Sequence, residues 1–523
     1  MTGQATGCTR EKEIYMVLRL SCLATLFIVA LGALLPSGFA EVSGALLSFV
    51  IAKFGWFFLL TVFGLVLFGL FLAFSDYGHI KLGQEDDEPE FSRSTWFSML
   101  FSAGMGIGLV FWGVAEPVMH YASPPPGVTA LTPDAANAAM RYTFFHWGIH
   151  PWAVYGVVAL ALAYFKFNRQ RPGLISAVFE PLLGEARTRG PIGKIIDILA
   201  ILATVFGVAT SLGFGALQIG GGFKHVFGID NTFALQVSII AVATVLYLLS
   251  SMTGIERGIK WLSNFNVLLA GLLMLAVLLM GPTLFLVDTL TATLGSYLHN
   301  LVNMSLRLTP FREGTWVADW TLFYWAWWVT WAPFVGMFIA RISRGRTIRE
   351  FIIGVMLVPS LMSFAWFAVF GGTALHAEIF GQFPIVAAVQ ADVADALFKL
   401  LELLPGGALL AGLALLLIVS FFVTSADSAT FVLGMMSSNG SLRPTIRVRL
   451  FWGVMQAAIA VVLLMSGGLK GLQSAAIVAA LPFAVIMVLM SISLYRALAQ
   501  ELRSVHQREA ARHRMLELMQ QRR

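Results

Sequence analysis

Long apolar stretches alternate with short polar connections along this chain, and the length of the apolar runs sets the fold class. A helix that crosses a membrane needs about 20 mostly apolar residues. Twelve stretches meet that description: 15–36, 52–74, 96–119, 140–165, 195–219, 232–251, 264–287, 318–340, 351–374, 407–433, 449–467 and 472–495. None has the alternating ten-residue signature of a membrane β-barrel strand. The pattern predicts an all-α polytopic membrane protein with twelve transmembrane helices. The first stretch also admits a reading as a signal peptide, because "PSGFA" before Glu41 loosely resembles a cleavage site. Its apolar run is longer than a usual signal core and no soluble domain follows, which favours a retained span.

Composition agrees with the pattern. The chain is 58% hydrophobic and 12% charged, against about 25% charged residues in a soluble domain. The distribution of Lys and Arg gives the orientation. Loop 166–194 carries Lys166, Arg169, Arg171, Arg187, Arg189 and Lys194. Loop 341–349 carries Arg341, Arg344, Arg346 and Arg349, and loop 443–449 carries Arg443, Arg447 and Arg449. Seven Arg fall between Arg496 and Arg523, while 120–136 holds no Lys or Arg. These loops, and with an even number of spans both termini, are expected in the cytoplasm of a bacterial inner-membrane protein. The acidic run "EDDEPE" (Glu85–Glu90) falls on the same side without conflict, since acidic residues count little in this rule. Cys8 and Cys22 suggest neither a disulfide framework nor a metal site.

Two spans depart from plain helix. "SAGMGIGLVFWG" (Ser102–Gly113) gathers Gly104, Gly106, Gly108 and Gly113, and Glu116–Pro117 is expected to end it. "WWVTWAPFVG" places Pro333 and Gly336 mid-span. Gly costs up to ~1 kcal/mol and Pro ~3 kcal/mol in a helix interior. Close packing of small residues and a simple kink are the structural alternatives. The two spans are the third and the eighth, so inverted repeats of five helices would each open on a broken helix. Interrupted helices in matching positions point to a transporter's midplane site. There the freed backbone groups can hold an anion and a cation.

The aromatic pattern narrows the ligand. "YWAWWVTW" (324–331) holds four of the 14 Trp, and "FHWGIHPWAVYG" (145–156) adds Trp147, Trp152 and Tyr155. Trp152 and Tyr155 share a helix face, as do Trp328 and Trp331, and Trp327 and Trp331. An interfacial belt is the structural alternative. Two aromatic clusters without an intervening acid suit a quaternary ammonium, which has no N–H to donate and binds π-faces at about 2 kcal/mol each when desolvated.

At these residues the chain resembles a known family. "GMGIGLVFWGVAEP", "HWGIHPWAVYG", "WAWWVTWAPFVGMFIARISRGRTIREF" and "VTSADSAT" closely resemble the betaine/carnitine/choline transporters, most of all the sodium-coupled glycine betaine transporters. The resemblance implies a LeuT-type inverted-repeat core and a homotrimer. It implies a tail with two extra helices (1–94), a first repeat (95–288), an amphipathic connection (289–316), a second repeat (317–496) and a basic cytoplasmic C-terminal helix (497–523). By similarity the trimethylammonium box maps onto Trp147, Trp152, Tyr155 and Trp328. Trp327 and Trp331 form the cytoplasmic-side wall with Phe323 on the same helix, and Gly104, Gly106 and Gly108 line the substrate site. Choline-carrying relatives tend to place an Asp at the position of Gly108, so a zwitterion is the expected substrate here.

The same resemblance places a sodium ion among Ser102, Met105, Phe421, Thr424 and Ser425, whose hydroxyls suit a hard cation. A second sodium position has Thr204, but Val208 stands where the family has a second Thr, so Thr210, Ser211 or backbone would have to compensate. Sodium-independent exchangers of the family use an Arg in the seventh span, which here starts with Asn264 and Asn266 and has none. Asp427, an acid inside the tenth span, keeps a proton relay open. The expected function is import of a quaternary-ammonium zwitterion by sodium symport. A proton-coupled or sodium-independent carnitine or choline carrier is the alternative. No zinc-protease, Walker or nucleophile-elbow motif argues for an enzyme. No cofactor beyond the coupling ion and no nucleic-acid partner is expected. The tail 496–523 has seven Arg against three Glu, so it predicts a basic helix able to meet anionic lipid at ~1 kcal/mol per basic residue, or a solvated tail.

Overall fold

The computed structural model describes the backbone of residues 3–104, 106–253 and 256–521, and the side chains of residues 16–100, 106–252, 262–504 and 507. Helices α1 (Gly3–Leu34) and α2 (Pro36–Phe74) are followed by α3 (Arg93–Gly104), α4 (Ile107–Ala122), α5 (Pro133–Trp147) and α6 (Ile149–Phe167). Short α7 (Glu180–Leu183) and α8 (Glu185–Arg189) lead into α9 (Pro191–Phe227), α10 (Phe233–Thr253), α11 (Glu256–Met280) and α12 (Thr283–Ser305). The C-terminal part contains α13 (Phe323–Arg341), α14 (Ile348–Ile379), short α15 (Ile385–Ala391) and α16 (Ala396–Glu402), α17 (Gly407–Ser437) and α18 (Ile446–Gln521). Among the described residues there is no strand, only an isolated bridge between Lys81 and Thr347.

Ten helical stretches among the described residues are long and apolar enough to cross a membrane. Their burial sorts them into an outer and an inner set. The most apolar window is 17% buried in Met16–Leu34 and 22% in Phe233–Met252, but 94% in both Pro133–Phe167 and Ala318–Arg341. The two aromatic-rich segments are therefore the centre of the bundle. Helix α13 packs against α6, α9 and α18, so its indoles meet protein rather than lipid headgroups.

Three expectations about helix breaks need correction. Pro333 does not interrupt its span: α13 runs through it from Phe323 to Arg341, and the irregular turn lies earlier, as a π-helical stretch at Ala318–Leu322. A proline removes one backbone hydrogen bond without forcing a break when the neighbouring helices hold the chain on both sides. Nor does Glu116–Pro117 end the third span, because α4 continues to Ala122 with Pro117 inside it. The seventh span ends sooner than expected, at Met280, where Gly281 and Pro282 separate α11 from α12. The break in the third span stands: α3 stops at Gly104 and α4 starts at Ile107, with Gly106 between them at φ −154° and ψ −140°. The predicted eleventh and twelfth spans run on as α18, which leaves helical geometry only at Gly467 and Gly468. Gly468 takes φ +55° and ψ −130°, a conformation that glycine adopts without the Cβ penalty.

The basic loop after α13 is fastened to the acidic run after α2. Leu82 N–H donates to Arg346 O at 2.8 Å, and Gly345 N–H to Leu82 O at 2.7 Å. Gly345 has φ +81° and a Cβ there would lie 2.5 Å from the Glu88 carbonyl carbon, so only glycine fits. Arg344 grips Asp87 at 2.8 Å, and Arg346 lies 4.1 Å over the Trp96 ring. Arg344, aided by the Gln84 N–H, holds the Asp87 carboxyl below the usual carboxylate range.

Candidate functional site

The aromatic residues meet because α5 and α6 are not one helix. Pro151 has no N–H to offer the Trp147 carbonyl, and the chain bends at Gly148 (φ −93°, ψ −131°). The bend turns Trp147 toward α13 while Trp152 and Tyr155 follow one turn into α6. The four rings then form a continuous edge-to-face series. Trp147 and Trp328 centroids are 4.9 Å apart at 73°, Trp328 and Tyr155 6.2 Å at 80°, and Tyr155 and Trp152 5.6 Å at 85°. All four are buried. The Tyr155 hydroxyl has no hydrogen-bond partner.

Three indoles of α13 are fixed through their N–H groups. Trp328 Nε1 donates to His146 O at 3.0 Å, and Trp331 Nε1 to Gly207 O at 2.8 Å. Trp327 stacks on Trp328 at 4.8 Å and 16° and donates to Ser211 Oγ at 3.3 Å. Phe323 stacks on Trp327 in turn at 5.6 Å and 18°. Trp331 faces α9 and pairs its ring with Phe334. It therefore extends the wall of α13 beyond Trp327.

The uncapped end of α4 abuts this cluster. Gly106 provides no side-chain cap; Leu109 N–H turns back to the Gly106 carbonyl at 3.2 Å, and the N-terminal end of α4, without a capping side chain, favours an anion. A Cβ on Gly108 would lie 2.6 Å from Trp327 Cη2 and 3.1 Å from Trp147 Cη2. Glycine at this position lets α4 approach the indoles. An anion-favouring helix end and a set of π-faces thus sit side by side, the two halves a zwitterion needs. Gly104 is the last residue of α3 and lies outside the residues whose side-chain surroundings are described.

The expected ion sites are divided. Met105 and the side chain of Ser102 lie outside the described residues. Thr424 Oγ1 accepts from Asn266 Nδ2 at 3.1 Å, and Ser420 Oγ donates to Asn266 Oδ1 at 2.5 Å, so the Thr424 hydroxyl is turned toward α11. Ser425 is turned instead toward the helix break, with its Oγ 3.4 Å from where a Gly106 Cβ would be. Phe421 is buried on the same helix. At the second position, Thr204 Oγ1 donates to Ala200 O at 2.8 Å. The suggested substitutes for the missing hydroxyl are committed elsewhere: Thr210 Oγ1 lies 3.2 Å from Leu472 O and Ser211 serves Trp327. Asp427 accepts from Ser250 Oγ at 2.8 Å across the α10–α17 contact.

A group that sequence reasoning treated as a helix anchor is the hub behind the box. Glu116 is fully buried. Its Oε1 lies 2.7 Å from His146 Nδ1 and 3.2 Å from His120 Nε2; its Oε2 lies 2.7 Å from Trp147 Nε1 and 2.5 Å from Tyr324 Oη. The ligand atoms of Glu116, His120 and His146 fall within 4.8 Å of one another, a spacing that suits a metal ion. All four contacts are also ordinary hydrogen bonds that close the group without one. The signal was present in the sequence, as a carboxylate and a histidine four apart inside an apolar run, which is functional by default in a membrane.

Comparison with known proteins gives a consistent picture. The sequence model described as BCCT, betaine/carnitine/choline family transporter, matches residues 16–503. The glycine betaine transporter OpuD of Bacillus subtilis (strain 168) is 50% identical over 500 residues, covering 95% of this chain and 97% of the relative. The ectoine/hydroxyectoine transporter of Virgibacillus pantothenticus is 47% identical over 485 residues, 92% and 96% of the two chains. The glycine betaine transporter of Acinetobacter baylyi is 43% identical over 472 residues, 90% of this chain and 71% of the relative.

Proposed function

The chain belongs to the betaine/carnitine/choline transporter family, a family of membrane carriers and not enzymes, and from that premise we propose that it imports a quaternary-ammonium zwitterion such as glycine betaine. The observation that carries this reading is the placement of Trp147, Trp152, Tyr155 and Trp328 as one buried series of rings. Desolvated π-faces supply about 2 kcal/mol each to a cation. Three or four of them account for most of the ~8 kcal/mol behind micromolar affinity. The α4 N-terminus at Gly106–Gly108 takes the carboxylate, and Trp327 and Trp331 continue the path toward the cytoplasm.

Transport proceeds by alternating access of two inverted five-helix repeats within twelve spans, in a homotrimer whose termini are cytoplasmic. Sodium is the coupling ion, held near Ser102, Met105, Phe421, Thr424 and Ser425. The orientation of Ser425 toward the Gly106 break supports that location, since an ion there adjoins the substrate's carboxylate. The commitments of Thr210 and Ser211 weaken a second site around Thr204, so one ion per cycle is favoured. The basic end of α18 meets anionic lipid.

Displacement of labelled glycine betaine from the purified protein tests the substrate assignment. Unlabelled betaine should compete well, and choline, which lacks a carboxylate for the α4 N-terminus, poorly. Equal affinities for choline and betaine contradict the assignment.

A further inference from the structure

The donors around Glu116 permit an assignment in which every one of its contacts is satisfied. Trp147 Nε1–H and the Tyr324 hydroxyl donate to Oε2, while His146 Nδ1–H and His120 Nε2–H donate to Oε1. The Thr321 hydroxyl then donates to His146 Nε2 at 3.0 Å, and His120 Nδ1 has no partner. Both histidines are neutral in this arrangement and the carboxylate, accepting four hydrogen bonds, is ionised. In that assignment the cluster carries one negative charge in the bundle centre. Among the described residues, its ion-pair partners are these two histidines alone. An uncompensated charge is expensive in so dry a place, which points to a cation supplied from outside the chain.

We propose that Glu116 is the counter-charge built behind the aromatic box, a positioning and specificity-determining residue whose charge the substrate's ammonium balances. It acts through the rings. An indole N–H donating to a carboxylate gains electron density on its faces, and Trp147 is itself a member of the box. Tyr324 carries the same influence to Trp328, on which it stacks at 5.7 Å and 22°. More negative faces bind a cation more strongly, and the carboxylate's own field adds to this in a low dielectric. A purely structural Glu116 would hold the rings in place for any ligand of the right shape. A counter-charge favours only the charged one.

This inference rests on the quaternary-ammonium reading, and the test separates the two. The probes are labelled glycine betaine and, as competitor, 3,3-dimethylbutanoate, which has the same shape with carbon in place of the cationic nitrogen. The wild-type protein should prefer betaine. Glu116→Gln, which keeps the shape and removes the charge, should narrow that preference by about tenfold or more, and Glu116→Asp should largely retain it. Equal losses for both ligands in Glu116→Gln overturn the inference while leaving the function intact. A wild-type protein that does not distinguish the two overturns the substrate reading itself, and the inference with it. Should Glu116→Gln not fold, Tyr324→Phe takes its place: it must weaken betaine more than the isostere, and equal weakening overturns the role.

Discussion

Replacing Trp328 by Leu removes the ring that joins the two halves of the box. The indole touches Trp147 at 4.9 Å, Tyr155 at 6.2 Å and Trp327 at 4.8 Å, so its loss is felt on every side. Two costs must be separated. The His146 carbonyl loses its indole donor, and an unsatisfied buried acceptor costs about 1–3 kcal/mol; that burden falls equally on free and liganded protein and appears as lower thermal stability. The lost cation–π contact, about 2 kcal/mol when desolvated, falls only on the complex, and at 1.4 kcal/mol per tenfold it weakens binding about 30-fold. Trp328→Phe keeps a π-face without the N–H, so it should show much of the stability loss and a smaller loss of affinity. The assay is equilibrium binding of labelled glycine betaine to purified protein, paired with a melting curve, which avoids reading a tryptophan signal from a variant that lacks one. A folded Trp328→Leu protein that binds betaine within about threefold of wild type would refute the box, since the value expected is some 30-fold.

Thr424→Ala combined with Ser425→Ala should raise the sodium concentration for half-maximal uptake, with Ser425 the larger contributor because its hydroxyl faces the helix break; an unchanged sodium dependence contradicts the ion site. The Asp87 carboxyl, held low by Arg344, contributes stability that is present above the ordinary Asp value near 3.9 and lost as pH falls through its lower folded value. Asp87→Asn should therefore flatten acid destabilisation below about pH 4 in melting curves against pH, and superimposable curves for the two proteins would contradict this. Deleting 504–523 leaves in place Glu501, which pairs with Tyr164. It should leave basal transport intact and flatten any response to osmolality, so unchanged activation in the truncated protein rules out the tail as the sensor.

The legible part of this protein was whatever depends on length, composition or a local break. Apolar run lengths predicted the all-helical bundle, and the glycines from Gly104 to Gly108 predicted the interruption between α3 and α4. Which way an indole points is not local. The choice between a lipid-facing belt and an interior wall for Trp325–Trp331 required the burial of α13 among its neighbours. Pro333 misled because its cost in an isolated helix is large, whereas packing on both sides lets α13 continue through it. The break beside the box comes from Gly148 and Pro151 acting together, inside an apolar run that reads as one span by length alone. Glu116 was misread as a helix end for a related reason: Pro117 suggested a terminus, and three of the four groups that surround the carboxylate, His146, Trp147 and Tyr324, come from α5 and α13, distant in sequence.

The central claim is coupled import, and uptake into proteoliposomes tests it most directly. A thousandfold accumulation of a zwitterion costs ~4 kcal/mol; one sodium entering down ~100 mV contributes ~2.3 kcal/mol, and a tenfold gradient adds ~1.4 kcal/mol. Vesicles with an inward sodium gradient and a negative interior should therefore concentrate labelled glycine betaine several-hundred-fold if one ion moves per cycle. The same vesicles in sodium-free buffer at constant pH should only equilibrate slowly, if at all. Full accumulation without sodium, or no betaine accumulation under the gradient, contradicts the account.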